Sequence, residues 1–315
     1  MAVRLILHRL VVSLGTLWVV SFLIFWAVEW LPGDAAALLL GRDATPEAVR
    51  VLRERLHLTD PPMTRYWRWL SAFARGDWGQ SLATGRPVTG YVLPRLRNTL
   101  VLTGLALSMY VALTLVIGIA SALFYGRFLD TLLSMLTLVG ISMPEFVIGI
   151  LLMLLLAVTV PLVPPLALMD QVDSFAELLH TLTLPALTLT AVMTAYATRM
   201  MRSNLVEVLE SEYVRMAMLK GLPKVRVVFR HALPNAVGPT LTVTALNVAW
   251  LIGGVVVVER VFNFPGLGRL LVDSISFHDL PVVEAIAVLL AGVYVAANLL
   301  ADIAVVVLNP RLRTG

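Results

Sequence analysis

Six stretches of the chain stay apolar for about a bilayer's thickness, and the segments between them differ sharply in polarity. A helix needs about 20 apolar residues to cross the hydrocarbon core. Residues 10–30, 100–123, 132–160, 182–200, 237–258 and 282–308 meet that length. They predict an all-α polytopic membrane protein with six transmembrane helices, the last long enough to tilt. Arg4, His8 and Arg9 precede the first stretch, as charges precede a signal peptide's apolar run. That stretch exceeds an h-region of about 7–15 residues, however, and Trp26 and Trp30 stand at its far end as interfacial anchors do. It reads as a retained span. No internal repeat is evident, which weighs against an inverted-repeat carrier.

The polar segments orient the spans. Residues 161–180 hold no Lys or Arg but carry Asp170, Asp173 and Glu177. Residues 202–235 hold both lysines of the chain, Lys220 and Lys224, among several arginines, and the tail carries Arg311 and Arg313. By the positive-inside rule the basic loop and both termini are cytoplasmic, as an even number of spans requires. The chain then divides into four parts. Residues 1–30 are a cytoplasmic N-terminus and first span, and 31–98 an extracytoplasmic segment. Residues 99–308 are a core of spans two to six that includes a cytoplasmic loop at 203–235, and 309–315 are a cytoplasmic tail.

Two helices are predicted in the 31–98 segment. "DATPEAVRVLRERLHLTD" has Thr45 as N-cap, Pro46 at the first helical position, and Val49, Leu52 and Leu56 on one face. "PPMTRYWRWLSAFARGDWG" is helical up to Gly76. The segment serves as a packed cap over the mouth of the spans, as a docking surface, or as both.

The basic loop contains "SEYVRMAMLKGLPKVRVVFRHALPN", residues 211–235. Ser211 suits an N-cap, with Glu212 in the positive first turn. Tyr213, Met216 and Leu219 recur at helical spacing. Gly221 stands where a left-handed residue closes a helix, and Pro223 opens a second one carrying Lys224, Arg226, Arg230 and His231. A helix, a glycine break and a helix in water suit either a membrane-surface helix or a helix offered to a partner's groove.

Composition narrows the chemistry. The chain is 59% hydrophobic and 14% charged, against about 25% charged in soluble domains. The net charge of +4 belongs to cytoplasmic loops and does not point to nucleic acid. With no cysteine, disulfides, thiol catalysis and Cys metal sites are excluded. Histidines 8, 57, 180, 231 and 278 are scattered, and no metal site or nucleophile–base constellation emerges. No G-x-x-x-x-G-K-[ST] phosphate loop is present, so the chain does not hydrolyse ATP itself.

Within the spans, Thr183, Thr190, Thr194 and Thr198 share a face of the fourth, and Thr240, Thr244 and Asn247 a face of the fifth. These stripes are either hydrogen-bonding seams between helices or a mildly polar pathway wall. Glu145, after Pro144, is an intramembrane carboxylate that either lines the pathway or bonds a neighbouring helix. Asn298 and Asp302 suit packing, or an ion pair with Arg199 or Arg202. Glu259 and Arg260 are placed at the outer interface, before an "NFPGLG" turn that reads as an outer gate or a re-entrant cap.

Ala217, Gly221 and the Leu233-Pro234 pair resemble the "EAA…G…LP" loop of ABC-importer permeases. With Tyr213-Val214-Arg215, Lys220, His231-Ala232 and Asn235, the loop is similar to that of the dipeptide/oligopeptide/nickel branch, first-permease type. "LPGD" at 31–34, "GDWGQS" at 76–81, "RPV" at 86–88, "SMPEF" at 142–146, "GGVVVVERVFNFPGLG" at 253–268, "NLLAD" at 298–302 and "NPRLR" at 309–313 follow in the family's order. The resemblance covers nearly the whole chain. It implies a type I ABC importer permease fold in the bacterial or archaeal cytoplasmic (inner) membrane. The partners it implies are a second permease, two cytoplasmic ATPase subunits and an extracytoplasmic substrate-binding protein. Peptides are the implied cargo; nickel chelate, glutathione or another small solute is the alternative. The chain itself then needs no cofactor, ATP and Mg being bound by the ATPases.

On that resemblance Glu212, Tyr213, Arg215, Met216, Ala217, Lys220 and Gly221 couple to an ATPase, with the partner's groove closing over the small Ala217. Glu145, Thr190, Thr194, Thr244 and Asn247 are pathway candidates. A self-contained secondary carrier would place carboxylates or broken helices around an ion site, and a membrane enzyme would cluster His, Asp and Glu at one interface. Neither pattern is present.

Overall fold

A computed structural model describes residues 2–30, 40, 45–55 and 58–308, with backbone alone over residues 2–6, 52, 55, 171, parts of 241–249 and 304–308. The apolar stretches fold as helices: α1 (Ala2–Glu29), α4 (Thr89–Leu123), α5 (Phe128–Ser142), α6 (Glu145–Met153), α7 (Phe175–Leu209), α10 (Leu233–Val261) and α12 (Leu280–Leu308). Shorter helices are α2 (Pro46–Arg55), α3 (Pro62–Ala74), α8 (Glu212–Leu219), α9 (Lys224–Arg226) and α11 (Leu267–Ser276). A π-helical turn, Leu154–Thr159, extends α6, and another, Val227–Ala232, joins α9 to α10. Among the described residues the only strand-like pairing is a bridge between Gln80 and Pro87.

Four described helices are long and apolar enough to cross a membrane: Leu7–Glu29, Thr89–Leu123, Phe175–Leu209 and Leu280–Ile303. The predicted third span is not one helix. It is a pair, α5 and α6 with its π-turn, bent by 115°. Met143 is extended (φ −107°, ψ 139°) and Pro144 likewise (φ −58°, ψ 143°). Proline disfavours the α region for the residue before it and lacks an N–H for the ladder. The predicted fifth span is α10, with 29 residues and thus about 44 Å long at 1.5 Å per residue.

The helix boundaries follow local chemistry. Thr45 Oγ1 accepts the Ala48 N–H at 3.3 Å and caps α2, and Pro46 opens it. In α3, Pro62 takes the first position, and Gly76 at φ +86° ends the turn after Arg75. Helix α7 starts seven residues before the predicted span. Ser174 Oγ accepts the Glu177 N–H while the Glu177 carboxylate accepts the Ser174 and Asp173 N–H groups, a reciprocal capping box.

The chain forms two compact units. One comprises Met1–Leu7, Leu100–Phe264 and Ala297–Gly315. Its core is the buried side of α7 (Leu182, Leu184, Leu189, Met193, Ala197) with Leu102, Ala106 and Tyr110 of α4 and Leu251, Val255 and Val258 of α10. Lipid is as apolar as leucine, so helices in a bilayer associate by close approach at small residues. Gly118 shows it: an added Cβ would stand 2.7 Å from Met201 Cγ.

The other unit comprises His8–Thr99 and Pro265–Ala296. Here Val88, Val92, Leu267, Val282, Ala285 and Ile286 form one core. Aromatic rings run on from it: Phe73 stacks on Trp78 at 5.4 Å, Trp69 lies between Phe73 and Tyr66, and Tyr66 meets Phe22 edge-on at 5.3 Å. The fully buried Tyr66 shares a 3.0 Å hydrogen bond with Ser21 of α1. Asp279, also buried, accepts from Ser81 Oγ and from the Leu82 N–H at 2.9 Å, which closes the loop before α4 onto the start of α12.

Candidate functional site

The basic loop folds as a compact knot of short helices. After α7 ends, Ser211 stands at the N-cap of α8 in extended conformation, but its hydroxyl donates back to Val208 O and does not cap. At the other end the termination is complete. Gly221 adopts φ +78°, its N–H reaches Met218 O at 3.0 Å, and the Leu222 N–H reaches Ala217 O at 3.4 Å. These are the paired bonds of a Schellman motif, which satisfy the last carbonyls of the helix. Nothing lies within 4 Å of where a Gly221 Cβ would sit, so the glycine is required by its backbone angle and not by crowding.

Helix α8 has two faces. Val214 is fully buried in a cluster with Ala122, Leu205, Val227, Ala232 and Ala236, and Ala217 and Leu222 pack against it. Tyr213, Met216 and Leu219 are exposed, Leu219 at 75%, and Val225 and Phe229 are exposed beyond the glycine. Ala217 is half-buried, and its methyl packs against this cluster; its small size permits α8 to lie close to it. Glu212 and Arg215 face solvent 4.0 Å apart, a contact worth about 0–1 kcal/mol, and Lys220 is exposed beside them. A clasp ties α8 to the start of α10. Asn235 Nδ2 donates to Tyr213 Oη at 3.0 Å and to His231 O at 2.9 Å, and Tyr213 Oη donates to His231 O at 3.3 Å.

The pathway candidates lie elsewhere in the same unit. Glu145 is the first residue of α6 and half-buried; its Oε2 comes so close to α10 that a Cβ on Gly254 would lie 2.6 Å away. Thr190 is buried and donates to Ala186 O and Leu187 O. Thr194 and Thr198 are also buried, and their hydroxyls have no hydrogen-bond partner among the described residues. On α10, Thr240 donates to Met201 Sδ at 3.5 Å. Thr244 accepts from Tyr110 Oη at 3.1 Å, and Asn247 Nδ2 donates to that same oxygen at 3.1 Å. Thr240, Thr244 and Asn247 thus meet α7 and α4 of their own unit, whereas Thr190 bonds its own helix and Thr183 is partly exposed, donating to Leu179 O at 2.7 Å.

Two ionisable side chains are held inside the unit. Arg202 grips Asp130 of α5, with Nε at 2.6 Å and Nη2 at 2.8 Å. Glu259 is fully buried. In the turn that follows, Asn263 stands at φ +54°, Phe262 and Phe264 are buried, and the Phe264 N–H bonds Glu259 O at 2.9 Å. The Asp130 node escaped sequence reading because its partner is 72 residues away; the one signal was an aspartate at the head of an apolar run. "LPGD" at 31–34, Leu56 and "NPRLR" at 309–313 lie outside the described residues.

Comparison with known proteins accounts for the whole chain. Residues 114–314 match the family described as "Binding-protein-dependent transport system inner membrane component", and residues 2–114 match its N-terminal region. The probable peptide ABC transporter permease protein y4tP of Sinorhizobium fredii is 37% identical over 308 residues, 98% of each chain. The glutathione transport system permease protein GsiC is 37% identical in Salmonella paratyphi A and 36% in Escherichia coli K12, again over 98% of each chain. The buried, self-packed helices, the clasped basic loop and these full-length matches agree, and the chain belongs to the family of inner membrane components of binding-protein-dependent transport systems.

Proposed function

We propose that this chain is one permease subunit of an ATP-driven importer and that, with a second permease, it forms the passage for short peptides delivered by an extracytoplasmic binding protein. The observation that carries the reading is the match over 98% of the chain to a relative named as a peptide ABC transporter permease. The chain spans the inner membrane six times in a type I importer fold, with α5 and α6 together as one broken span and α10 as the fifth. Both termini and the loop at 203–235 are cytoplasmic, the latter by its density of Lys and Arg. Residues 31–98 are extracytoplasmic and meet the binding protein.

Force enters through α8. Its outward face of Tyr213, Met216 and Leu219 is apolar and exposed, as a helix that lies in a partner's groove requires. Glu212, Arg215 and Lys220 fringe that face, and Ala217 and Gly221 hold the helix in its pose. Two ATPase subunits bind ATP and Mg, and the chain itself performs no chemistry. Nucleotide-driven closure of the ATPases then biases a two-state rearrangement of the spans. Glu145, Thr190, Thr194, Thr244 and Asn247 remain the pathway candidates.

Glutathione, itself a tripeptide, is the second reading, favoured by the relatives named for it. Co-purification of a second permease and ATPases, followed by ATP-dependent uptake of a labelled dipeptide into proteoliposomes with the binding protein, tests the proposal. Uptake of glutathione alone would shift the cargo. Uptake by the lone chain without ATP would overturn the whole reading.

A further inference from the structure

Helix α3 lies against the last turns of α1, inside one compact unit. Tyr66 shares a hydrogen bond with Ser21 and meets Phe22 and Phe25 edge-on. Trp69 meets Phe25 at 6.0 Å, and Arg65 pairs with Glu29. These contacts climb α1 from Ser21 to Glu29, about 12 Å at 1.5 Å per residue. All of them fall within Leu7–Glu29, the stretch long and apolar enough to cross a membrane. The rings of Trp26 and Trp30 stand 5.6 Å apart at this end of α1, where an aromatic belt marks the edge of a bilayer. Helix α3 therefore sits at the depth of that edge and not above it in water.

The surface of α3 not used against α1 is apolar on one side. Met63, Trp67, Leu70 and Ala74 recur at i, i+4, i+7 and i+11, within roughly 60° of one another on a helix of 3.6 residues per turn. Met63 is 50% and Trp67 53% exposed; Ala74 is exposed and Leu70 partly so. Beside this stripe runs a polar one of Thr64, Arg68, Ser71 and Arg75. There Arg68 pairs with Asp60, and Arg75 Nε donates to Ser71 O at 2.9 Å. An apolar stripe with Trp beside a polar one with Arg is the pattern of a helix that lies in the plane of a membrane surface. Lipid is the occupant that fits the apolar stripe. On α1 the exposed Trp18, Leu23 and Trp30 already present large apolar groups along the same span, and a soluble protein does not reach below the headgroups.

We infer that α3 is an interfacial helix that lays Met63, Trp67, Leu70 and Ala74 into the lipid leaflet at the far end of α1, the outer leaflet in the orientation proposed above. The polar stripe is left to water and to the binding protein. The inference rests on α1 as a span, but neither on the cargo nor on the ATPases.

The chain has no cysteine, so a nitroxide can be attached at one chosen position. Met63→Cys, Trp67→Cys and Ala74→Cys report on the apolar stripe, Thr64→Cys and Ser71→Cys on the polar one, and Leu23→Cys is the reference on α1. Each full chain is purified with whatever permease accompanies it and reconstituted into vesicles of phosphatidylethanolamine and phosphatidylglycerol. The unmodified chain, carried through the same labelling, gives the background from the partner. Power-saturation EPR compares collisions with oxygen, which concentrates among acyl chains, and with nickel ethylenediaminediacetate, which stays in water. The oxygen-to-nickel ratio is expected to be severalfold higher at 63, 67 and 74 than at 64 and 71, and close to that at 23. Equal nickel access on the two stripes would overturn the inference in favour of water. Exclusion of both reagents from 63, 67 and 74 would overturn it in favour of the second permease. Nickel access at 67 that is lost only when the binding protein is added would overturn it in favour of that protein. Three positions on the stripe keep the test decisive if one variant fails to assemble. A label at 23 open to nickel would sink the membrane reading of α1 and this inference with it, whereas a lipid-facing 23 beside a water-facing 67 would sink this inference alone.

Discussion

Arg202 near the end of α7 holds both carboxylate oxygens of Asp130 at the head of α5, across 72 residues of sequence. The carboxylate is almost wholly buried and also accepts from Ser121 Oγ at 2.5 Å and from the Gly126 N–H at 3.0 Å. Arg202 lies over the Tyr125 ring, 5.0 Å from its centroid. One side chain thus joins the end of α4, the turn after it, the start of α5 and α7.

Removing the carboxylate charge leaves a guanidinium without its partner. Breaking a buried pair costs about 3–5 kcal/mol, and Arg202 still reaches solvent, so Asp130→Asn is expected to cost less, about 2 kcal/mol. Thermal unfolding of the purified protein should show a clear fall in Tm. The fall for Asp130→Asn with Arg202→Met should be smaller than the sum of the two single falls. Additive losses would mean that the pair does not act as a unit.

Gly221 offers a test of backbone against bulk. Its φ of +78° lies in the left-handed region and the space around it is empty. A β-branched residue there costs about 1–2 kcal/mol in conformation, whereas asparagine tolerates the region. Gly221→Val should uncouple ATP hydrolysis from uptake and weaken ATPase association, and Gly221→Asn should retain most of both. If Gly221→Val assembles and transports as the unmodified chain does, the coupling helix has been misplaced.

The two faces of α8 separate stability from association. Met216→Glu and Leu219→Glu change exposed side chains and should leave Tm within about 1 °C while cutting ATPase co-purification severalfold, because surface changes cost about 0.5 kcal/mol or less. Ala217→Arg forces a long charged side chain toward Val214 and Leu205 and should lower Tm as well. A loss of association for Ala217→Arg with no change in Tm would place Ala217 on the outward face after all.

Much of this was readable in the chain. Apolar runs marked the long helices, Thr45 and Pro46 marked the start of α2, and Gly221 marked the end of α8, because each signal is local. The bend at Met143–Pro144 was half readable: proline announces a break, but the 115° angle is set by the packing of both halves on α7. The packing of Ala217 on its own chain was not readable. An eight-residue helix has two faces by periodicity, and which residues meet its own chain depends on Leu205 and Ala236, far away in sequence. The Asp130–Arg202 pair was not readable, because its two members stand 72 residues apart in sequence.

The threonine stripes divide between seam and passage, and two substitutions separate these roles. Thr194 buries a hydroxyl with no partner among the described residues, so in a dry seam Thr194→Val should leave Tm equal or raised and uptake unchanged. Thr244 receives the Tyr110 hydrogen bond, so Thr244→Val should cost about 1 kcal/mol in stability whichever role it has. If the stripes wet the passage, Thr194→Val should slow dipeptide uptake severalfold with no loss of assembly, because the hydroxyl then serves solute and not fold. Initial uptake rates per assembled complex decide the matter: slower flux at unchanged Tm assigns Thr194 to the passage, and unchanged flux assigns it to helix packing.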